Sequence, residues 1–340
     1  MSDAFGGTLS ENGFFAPFAP AGPDALYELA ERAGLAENGF QDWWFPHPHL
    51  DGTPTWPEAD YWLAWATAVT SRLRLGTWVL SNTFRHPVVL AKSFATIDQL
   101  SNGRVLLGLG SGGVDRLEGA VEGEYPERVE RFERSAESIR IFREMWSGDT
   151  VSFDGEYYTT HDVYFYERPE QPPPVYIAAG GPGVAKYNGR AGDGFLCTSG
   201  KWMDANREKL LPAFKEGAAR TGRDADEIRR HIEIDLSYDE DYEAALDGWT
   251  PWAPLSLTAE QPVAVTDPLA VPGADDLLPR EVIASRWIVG SSPDEVAALI
   301  QPHVDAGLNY LMFHVPGGDQ DRFLELFEQA VEELGRTGFG

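Results

Sequence analysis

Short apolar runs alternate along the chain with longer stretches in which apolar residues return every three to four positions. The runs predict strands from Phe14 to Phe18, Phe40 to Phe45, Leu73 to Leu80, Arg104 to Leu109 and Val175 to Ala178, then from Gly194 to Cys197, Ile232 to Leu236, Trp287 to Val289 and Tyr310 to His314. The longer stretches predict helices from Pro23 to Ala36, Pro57 to Arg72, His86 to Leu100, Pro126 to Trp146, Asp204 to Thr221, Pro293 to Ala306 and Gln320 to Leu334. Proline near several starts and glycine beyond several ends support these boundaries. A strand-then-helix rhythm predicts a parallel sheet, and about eight repeats over this length favour a closed (β/α)8 TIM barrel; an open doubly wound sheet is the alternative. The chain reads as one domain, residues 1–340, with insertions near 150–174 and 249–280. The first insertion is aromatic and β-rich. The second is rich in Pro, Trp and Leu and predicts little regular structure. In a barrel, insertions of this kind commonly cover the catalytic end.

Hydrophobic residues make up 43% of the chain, enough for a large ordered core, which excludes general disorder. The 54 acidic against 27 basic residues give a net charge of −27 and exclude the basic face a nucleic-acid binder needs. Lysine occurs only at Lys92, Lys186, Lys201, Lys209 and Lys215. Abundant carboxylates with few lysines suit a protein that stays soluble in high salt, where self-repulsion is screened; an ordinary acidic cytosolic enzyme is the alternative. The lone Cys197 allows no intrachain disulfide and no cysteine metal cluster. The start, MSDAFGGTLSENG, carries no basic segment followed by an apolar run, and no stretch approaches the ~20 apolar residues of a membrane span, so a soluble, cytoplasmic protein is expected.

Four features could carry chemistry. Gly108-Leu109-Gly110-Ser111-Gly112-Gly113 follows a strand and would let a ligand approach the backbone, or would simply make a tight turn; it matches neither the dinucleotide fingerprint nor the P-loop. Ala178-Ala179-Gly180-Gly181-Pro182-Gly183-Val184 runs from a strand into a helix, where free amides suit a phosphate; an ordinary βα loop reads the same way. Trp43-Trp44-Phe45-Pro46-His47-Pro48-His49 sets two histidines in a semi-rigid pocket wall, a place for a general acid or base near neutral pH. His86, His161, His231, His303 and His314 have no comparable setting. Finally, Lys201 follows Thr198-Ser199-Gly200 and Arg286 precedes a strand: two cations at one barrel mouth would bind an anion, although solvated surface charges are the plainer reading. No His/Asp/Glu group has a recognisable metal-ligand spacing, and no nucleophile elbow occurs.

Trp146-SGDTVSFDGEYY, VYIAAGGPGVAKYNGRAGDGFLCTSGK (175–201), WAPLSLTAEQ (252–261), SRWIVGSSPDE (285–295) and LNYLMFHVPGGDQDRFLELF (308–327) together resemble the luciferase-like superfamily of flavin and deazaflavin barrels. Within it, the chain looks most like the coenzyme F420-dependent glucose-6-phosphate dehydrogenases. GTWVLSNTFRHP and RVLLGLGSG extend the resemblance more loosely toward the N-terminus. It implies a third-strand bulge, often with a non-proline cis peptide, at Trp78-Val79, and cofactor contacts at Ser81, Ser111, Gly112, Gly180, Gly181, Gly183 and Val184. It also implies a sugar-phosphate pocket at Thr198, Lys201 and Arg286.

The chain departs from that family where protons move. The family's acid/base histidine follows an aspartate, with a tryptophan four residues on. An ungapped alignment puts His47 at the aspartate and Pro48 at the histidine, so His49 takes the role only if the loop shifts by one. The family's catalytic glutamate falls on Gly113, with Asp115 and Glu118 near in sequence, and one pocket lysine falls on Pro262. The resemblance thus implies an F420-dependent dehydrogenase moving hydride from a CH–OH group of a sugar phosphate or related alcohol, with His49 and then His47 as candidate bases. The substrate would be small and anionic, and the protein a homodimer. The alternatives are an FMN-dependent monooxygenase on the same barrel and a non-catalytic cofactor-binding relative.

Overall fold

The computed structural model describes residues 13–15, 37–40, 58–112, 126–148, 150–199, 203–249, 279–285, 287–314, 322–323 and 326. Its strands are β1 (Gly13–Phe15), β2 (Glu37–Phe40), β3 (Arg74–Thr77), β4 (Leu80–Ser81), β5 (Val105–Gly110), β6 (Val151–Asp154), β7 (Thr159–Val163), β8 (Val175–Ala178), β9 (Gly194–Thr198), β10 (Arg229–Tyr238), β11 (Ile288–Gly290) and β12 (Tyr310–His314). Parallel pairings run β1, β2, β3, β5, β8, β9, β10, β12 and back to β1, so eight strands close a ring and the open sheet is set aside. β4 continues the path of β3 and pairs with the end of β5, and β11 lies parallel beside the end of β10.

The helices are α1 (Ala59–Val69), α2 (Pro87–Ser101), α3 (Arg128–Ser147), α4 (Pro182–Ala191), α5 (Leu211–Arg220), α6 (Tyr242–Asp247), α7 (Arg280–Ala284) and α8 (Pro293–Asp305). Proline opens α2, α4 and α8, where its missing N–H costs no hydrogen bond. The outer core packs Leu63, Phe94, Phe142, Phe195, Phe214 and Phe313, among others, between helices and sheet. Arg104 ties the ends of two helices to the sheet. Its guanidinium donates to the Thr67 carbonyl at 3.3 Å, the Thr70 carbonyl at 3.1 Å and the Ser101 carbonyl at 2.8 Å, meeting carbonyls that helix ends leave without partners, and to the Leu73 carbonyl at 2.6 Å before β3. Among the described residues, no helix is long and apolar enough to cross a membrane.

Several expected boundaries move. The single strand expected from Leu73 to Leu80 is two, Arg74–Thr77 and Leu80–Ser81, with the cis Trp78–Val79 peptide bond between them. The second strand begins earlier, at Glu37, in register from Glu37↔Arg74 to Phe40↔Thr77; of the strand expected from Phe40 to Phe45, residues 41–45 lie outside the described residues. The expected strand from Ile232 to Leu236 extends over Arg229–Tyr238, because it pairs with β9 at its start, β12 along its middle and β11 at its end. The helix expected from Asp204 to Thr221 is a short turn (Met203–Ala205), a π turn (Asn206–Leu210) and α5. Pro212 cannot donate into the ladder, which accounts for the widened turn before it.

The 150–174 insertion carries an antiparallel hairpin, β6 with β7, packed against α3, and Tyr158 at its turn reaches Asn82 and His86, just past the end of β4. Its carboxylate anchor is Glu137 of α3, which accepts from the backbone N–H of Glu156 (2.8 Å), Tyr157 (3.1 Å) and Tyr158 (3.2 Å). The helices expected from Pro23 to Ala36 and, apart from Arg322, Phe323 and Leu326, from Gln320 to Leu334 lie outside the described residues, as does the 249–280 excursion apart from Trp249, Pro279 and Arg280.

Candidate active site

Side chains alternate inward and outward along each barrel strand. On β12, Leu311 and Phe313 join the outer core, so Tyr310, Met312 and His314 face the axis; on β10, Ile232, Ile234 and Leu236 point out, so His231, Glu233 and Asp235 face in. The floor is aromatic: the His231 ring lies 4.7 Å from Tyr176, 4.2 Å from Tyr310 and 5.4 Å from Trp78. Leu106, Leu196 and Met312 fill the layer around it. The interior is therefore packed, and ligand space lies only toward the C-terminal ends of the strands.

At the third strand's end, the chain turns through the cis Trp78–Val79 bond and returns to pairing at Leu80. Thr77 spans the break, its hydroxyl donating to the Gly108 carbonyl (2.8 Å) and accepting from the Gly108 N–H (3.1 Å). A Cβ on Gly108 would overlap the Thr77 carbonyl oxygen, and one on Gly110 would press on the Val79 side chain. The glycines of β5 thus first serve close packing against the bulge. Ser111 and Gly112 (φ +82°) follow at the mouth, and Ser81 Oγ lies 2.9 Å from Thr83 Oγ1.

The head of α4 is different. Gly181 is its N-cap, Pro182 opens the helix, and no side chain caps it. A Cβ on Gly180 or on Gly183 would meet nothing within 4 Å. This is an open cradle of backbone N–H groups at a helix N-terminus, which favours an anion. Two arginines that sequence reasoning missed stand nearby, one on this cradle and one at the end of β5. Arg128 Nη2 donates to the Gly180 carbonyl at 3.0 Å, and Arg131 Nε donates to the Ser111 carbonyl at 3.2 Å. Both open α3, and only the barrel topology brings that helix against the β5 and β8 ends.

Across the mouth, β9, β10 and β12 end in polar side chains. Thr198 sits in register with Glu233, and Asp235 with His314. His314 Nδ1 is 2.8 Å from Asp235 Oδ1 and 3.5 Å from Glu233 Oε1. Ser199 Oγ accepts from the Asp235 N–H at 3.0 Å and reaches Asp235 Oδ2 at 3.5 Å, while the Ser199 N–H donates to the Glu233 carbonyl at 2.8 Å. Asn206 Nδ2 donates to the Thr198 carbonyl at 2.7 Å, fixing that strand end. Trp249 and Trp287 stack 4.3 Å apart beside this cluster, the Trp249 ring 6.1 Å from His314. The ligand atoms of Glu233, Asp235 and His314 lie within 4.8 Å of one another, a grouping that no sequence spacing announced. His314, passed over in the sequence, therefore has a setting. The missed signal was parallel: YLMFH and HIEID each carry a polar residue at an inward position of the last turn of pleat. Cys197 faces the outer core, where burial pushes its thiol up and keeps it inert.

Of the expected site residues, Trp78, Val79, Ser81, Ser111, Gly112, Gly180, Gly181, Gly183, Val184 and Thr198 all stand at strand C-terminal ends or the adjoining helix head. His47, His49, Lys201 and Arg286 lie outside the described residues, as do Gly113, Asp115, Glu118 and Pro262.

Known proteins are similar to this chain in sequence and in fold. The F420-dependent glucose-6-phosphate dehydrogenase of Kineococcus radiotolerans is 50% identical over 318 residues, covering 93% of this chain and 94% of that protein. The enzyme of the same description from Mycolicibacterium smegmatis is 52% identical over 320 residues, covering 93% and 94%. A solved structure of an F420-dependent secondary alcohol dehydrogenase in complex with an F420–acetone adduct superposes with a TM-score of 0.83 at 25% identity, over 94% of this chain and 98% of that one. The family model described as luciferase-like monooxygenase matches residues 9–310, nearly the whole barrel. With that match, half-identical relatives of nearly full coverage and a closed eight-strand parallel ring, the chain belongs to the luciferase-like monooxygenase family.

Proposed function

We propose that this chain is a coenzyme F420-dependent dehydrogenase acting on the CH–OH group of a sugar phosphate or a related alcohol. The observation that carries the cofactor reading is the open cradle at the head of α4, where Gly180 and Gly183 leave unfilled space before uncapped amides. In this reading Gly180, Gly181, Gly183 and Val184 hold the anionic tail, and Arg128 adds positive charge beside them. Trp78 and Val79 back the ring, with Ser81, Ser111 and Gly112 at its edge. When bound, the deazaflavin supplies the hydride acceptor at C5 of its ring. The chain's own work is to bind, orient and exclude water, and to take a proton from the substrate hydroxyl. Thr198, with Lys201 and Arg286, anchors the substrate's anionic group. The strand-2 loop offers His49, and after it His47, for the proton. Replacement of a pocket lysine by Pro262 leaves a sugar acid, another sugar phosphate or an unphosphorylated sugar as substrates alongside glucose-6-phosphate. The reading extends to a cytoplasmic homodimer working in high salt.

Anaerobic absorbance spectroscopy tests this directly. Purified protein with F420 is expected to bleach the deazaflavin band on addition of one member of a panel of sugar phosphates, sugar acids and alcohols. Protein that purifies yellow with tightly held FMN and ignores F420 would replace this reading with the monooxygenase one. Tight F420 binding with no reduction by any member would leave a non-catalytic relative.

A further inference from the structure

If the chain oxidises a CH–OH group, as proposed above, some side chain at the barrel mouth must accept the hydroxyl proton. In the ungapped alignment that the resemblance implies, Pro48 stands where the family's histidine would and Gly113 where its glutamate would, with His49 in the role only if the loop shifts by one. Among the described residues, one histidine at the mouth is held by a carboxylate. His314 is the last residue of β12 and faces the axis, with its Nδ1 2.8 Å from Asp235 Oδ1. We propose that His314 is the proton acceptor of the reaction and that Asp235 is its positioning residue.

The chemistry follows from the ring. In a neutral imidazole one nitrogen donates and the other accepts. A carboxylate can only accept when ionised, so Asp235 draws the ring proton to Nδ1 and makes Nε2, which is buried in this structure, the basic nitrogen that the substrate hydroxyl must reach. Asp235 is itself fixed, by its backbone N–H to Ser199 Oγ (3.0 Å) and by the β10–β12 register. A base with a third group orienting it is the arrangement proton abstraction requires. The balance is simple: the substrate C–H leaves with its electron pair as hydride to the bound deazaflavin, the O–H proton passes to Nε2, and the carbon becomes a carbonyl. Position bears on the anion pocket as well. Thr198 is in register with Glu233 and, through it, with Met312, so His314 stands two inter-strand steps of roughly 4.8 Å each across and two residues, roughly 6.6 Å, further toward the mouth. The substrate therefore lies obliquely, its anionic end toward β9 and its reacting carbon toward β12. The Ser199–Asp235–His314 chain thus links the end that grips the substrate to the end that reacts.

The test uses the full-length protein with F420 and the sugar substrate identified by the panel. His314→Ala is expected to lower kcat by about 100-fold or more, with sugar KM and F420 affinity changed only a few-fold. Added imidazole should restore part of the rate, which a merely structural role would not permit. Asp235→Asn should lower kcat less, by about 10-fold. A second readout needs no turnover: 15N NMR of histidine-labelled wild type, with the ring neutral, should place the His314 proton on Nδ1, and Asp235→Asn should weaken that preference. A His314→Ala protein turning over within a few-fold of wild type, with His49→Ala or His47→Ala inactive, would overturn the proposal. So would a neutral wild-type His314 protonated on Nε2, a result that also decides the matter if the variants fail to fold. Wild type that binds no F420 would refute the functional reading instead, and the NMR result would still report on the His314–Asp235 pair.

Discussion

Glycines that look alike in the sequence do different work. Gly108 admits no side chain, because a Cβ there would overlap the Thr77 carbonyl oxygen at the strand break. Gly183 faces open space. Gly108→Ala is therefore expected to lower unfolding stability by about 1–3 kcal/mol, the usual range for forcing a methyl into packed surroundings. Gly183→Ala should leave thermal stability level or slightly raised, since alanine is the better helix residue, while weakening F420 affinity in a fluorescence titration. Equal loss of stability in the two variants would show that the cradle is packing and not binding space. The glycine runs were legible from the sequence. Their division of labour was not, because it depends on a bulge contributed by another strand. His314 shows the same limit more sharply. Its partner is 79 residues away in the chain, and no local spacing could pair them.

Elements were legible where one periodicity governed the segment. β8 and β12 begin and end where the pattern set them, and α8 agrees to within one residue at its end. Boundaries moved where a neighbour decided them: β10 lengthened to serve three partners, and the helix before α5 widened around Pro212. The joint between α2 and β5 shows how such tertiary decisions cost stability. Asp98, buried on α2, accepts a hydrogen bond from the Val105 backbone at the start of β5. Burial nevertheless outweighs that bond and raises its carboxyl from 3.8 to about 6. The folded state therefore holds this proton more tightly than the unfolded chain does. The resulting stabilisation is present below pH 4 and is lost as the pH rises from about 4 to 6. Asp98→Asn keeps an oxygen for Val105 and carries no charge to bury. Denaturant melts of the pair should nearly coincide at pH 3.5, with the variant gaining on wild type up to pH 7 by on the order of 2 kcal/mol. A constant difference across that range would show that Asp98 does not titrate in it.

On the scale of the whole molecule, charge balance decides how salt acts. The chain carries 54 carboxylates and 27 lysines and arginines, so even complete pairing would leave 27 negative charges. Salt weakens exposed ion pairs such as Lys186–Glu216 and Arg207–Asp204, which solvent already screens. It also weakens repulsion among the unpaired carboxylates, and that effect grows with their number. The screening length falls from about 10 Å at 0.1 M to about 3 Å at 1 M, shorter than most spacings between surface charges. Repulsion should therefore be the larger loss, and the melting temperature is expected to rise with KCl up to about 1 M and then flatten. Association of an anionic cofactor with this surface should follow the same curve, with F420 on-rates rising with salt as the protein's field is screened. Neutralising exposed carboxylates, for instance Glu208→Gln with Glu281→Gln and Asp294→Asn, should reduce the salt dependence of both quantities. If the melting temperature falls as KCl is added from 0.1 M to 1 M, the ion pairs and not the repulsion govern this surface, and the high-salt reading fails while the hydride-transfer reading stands on its own spectroscopy.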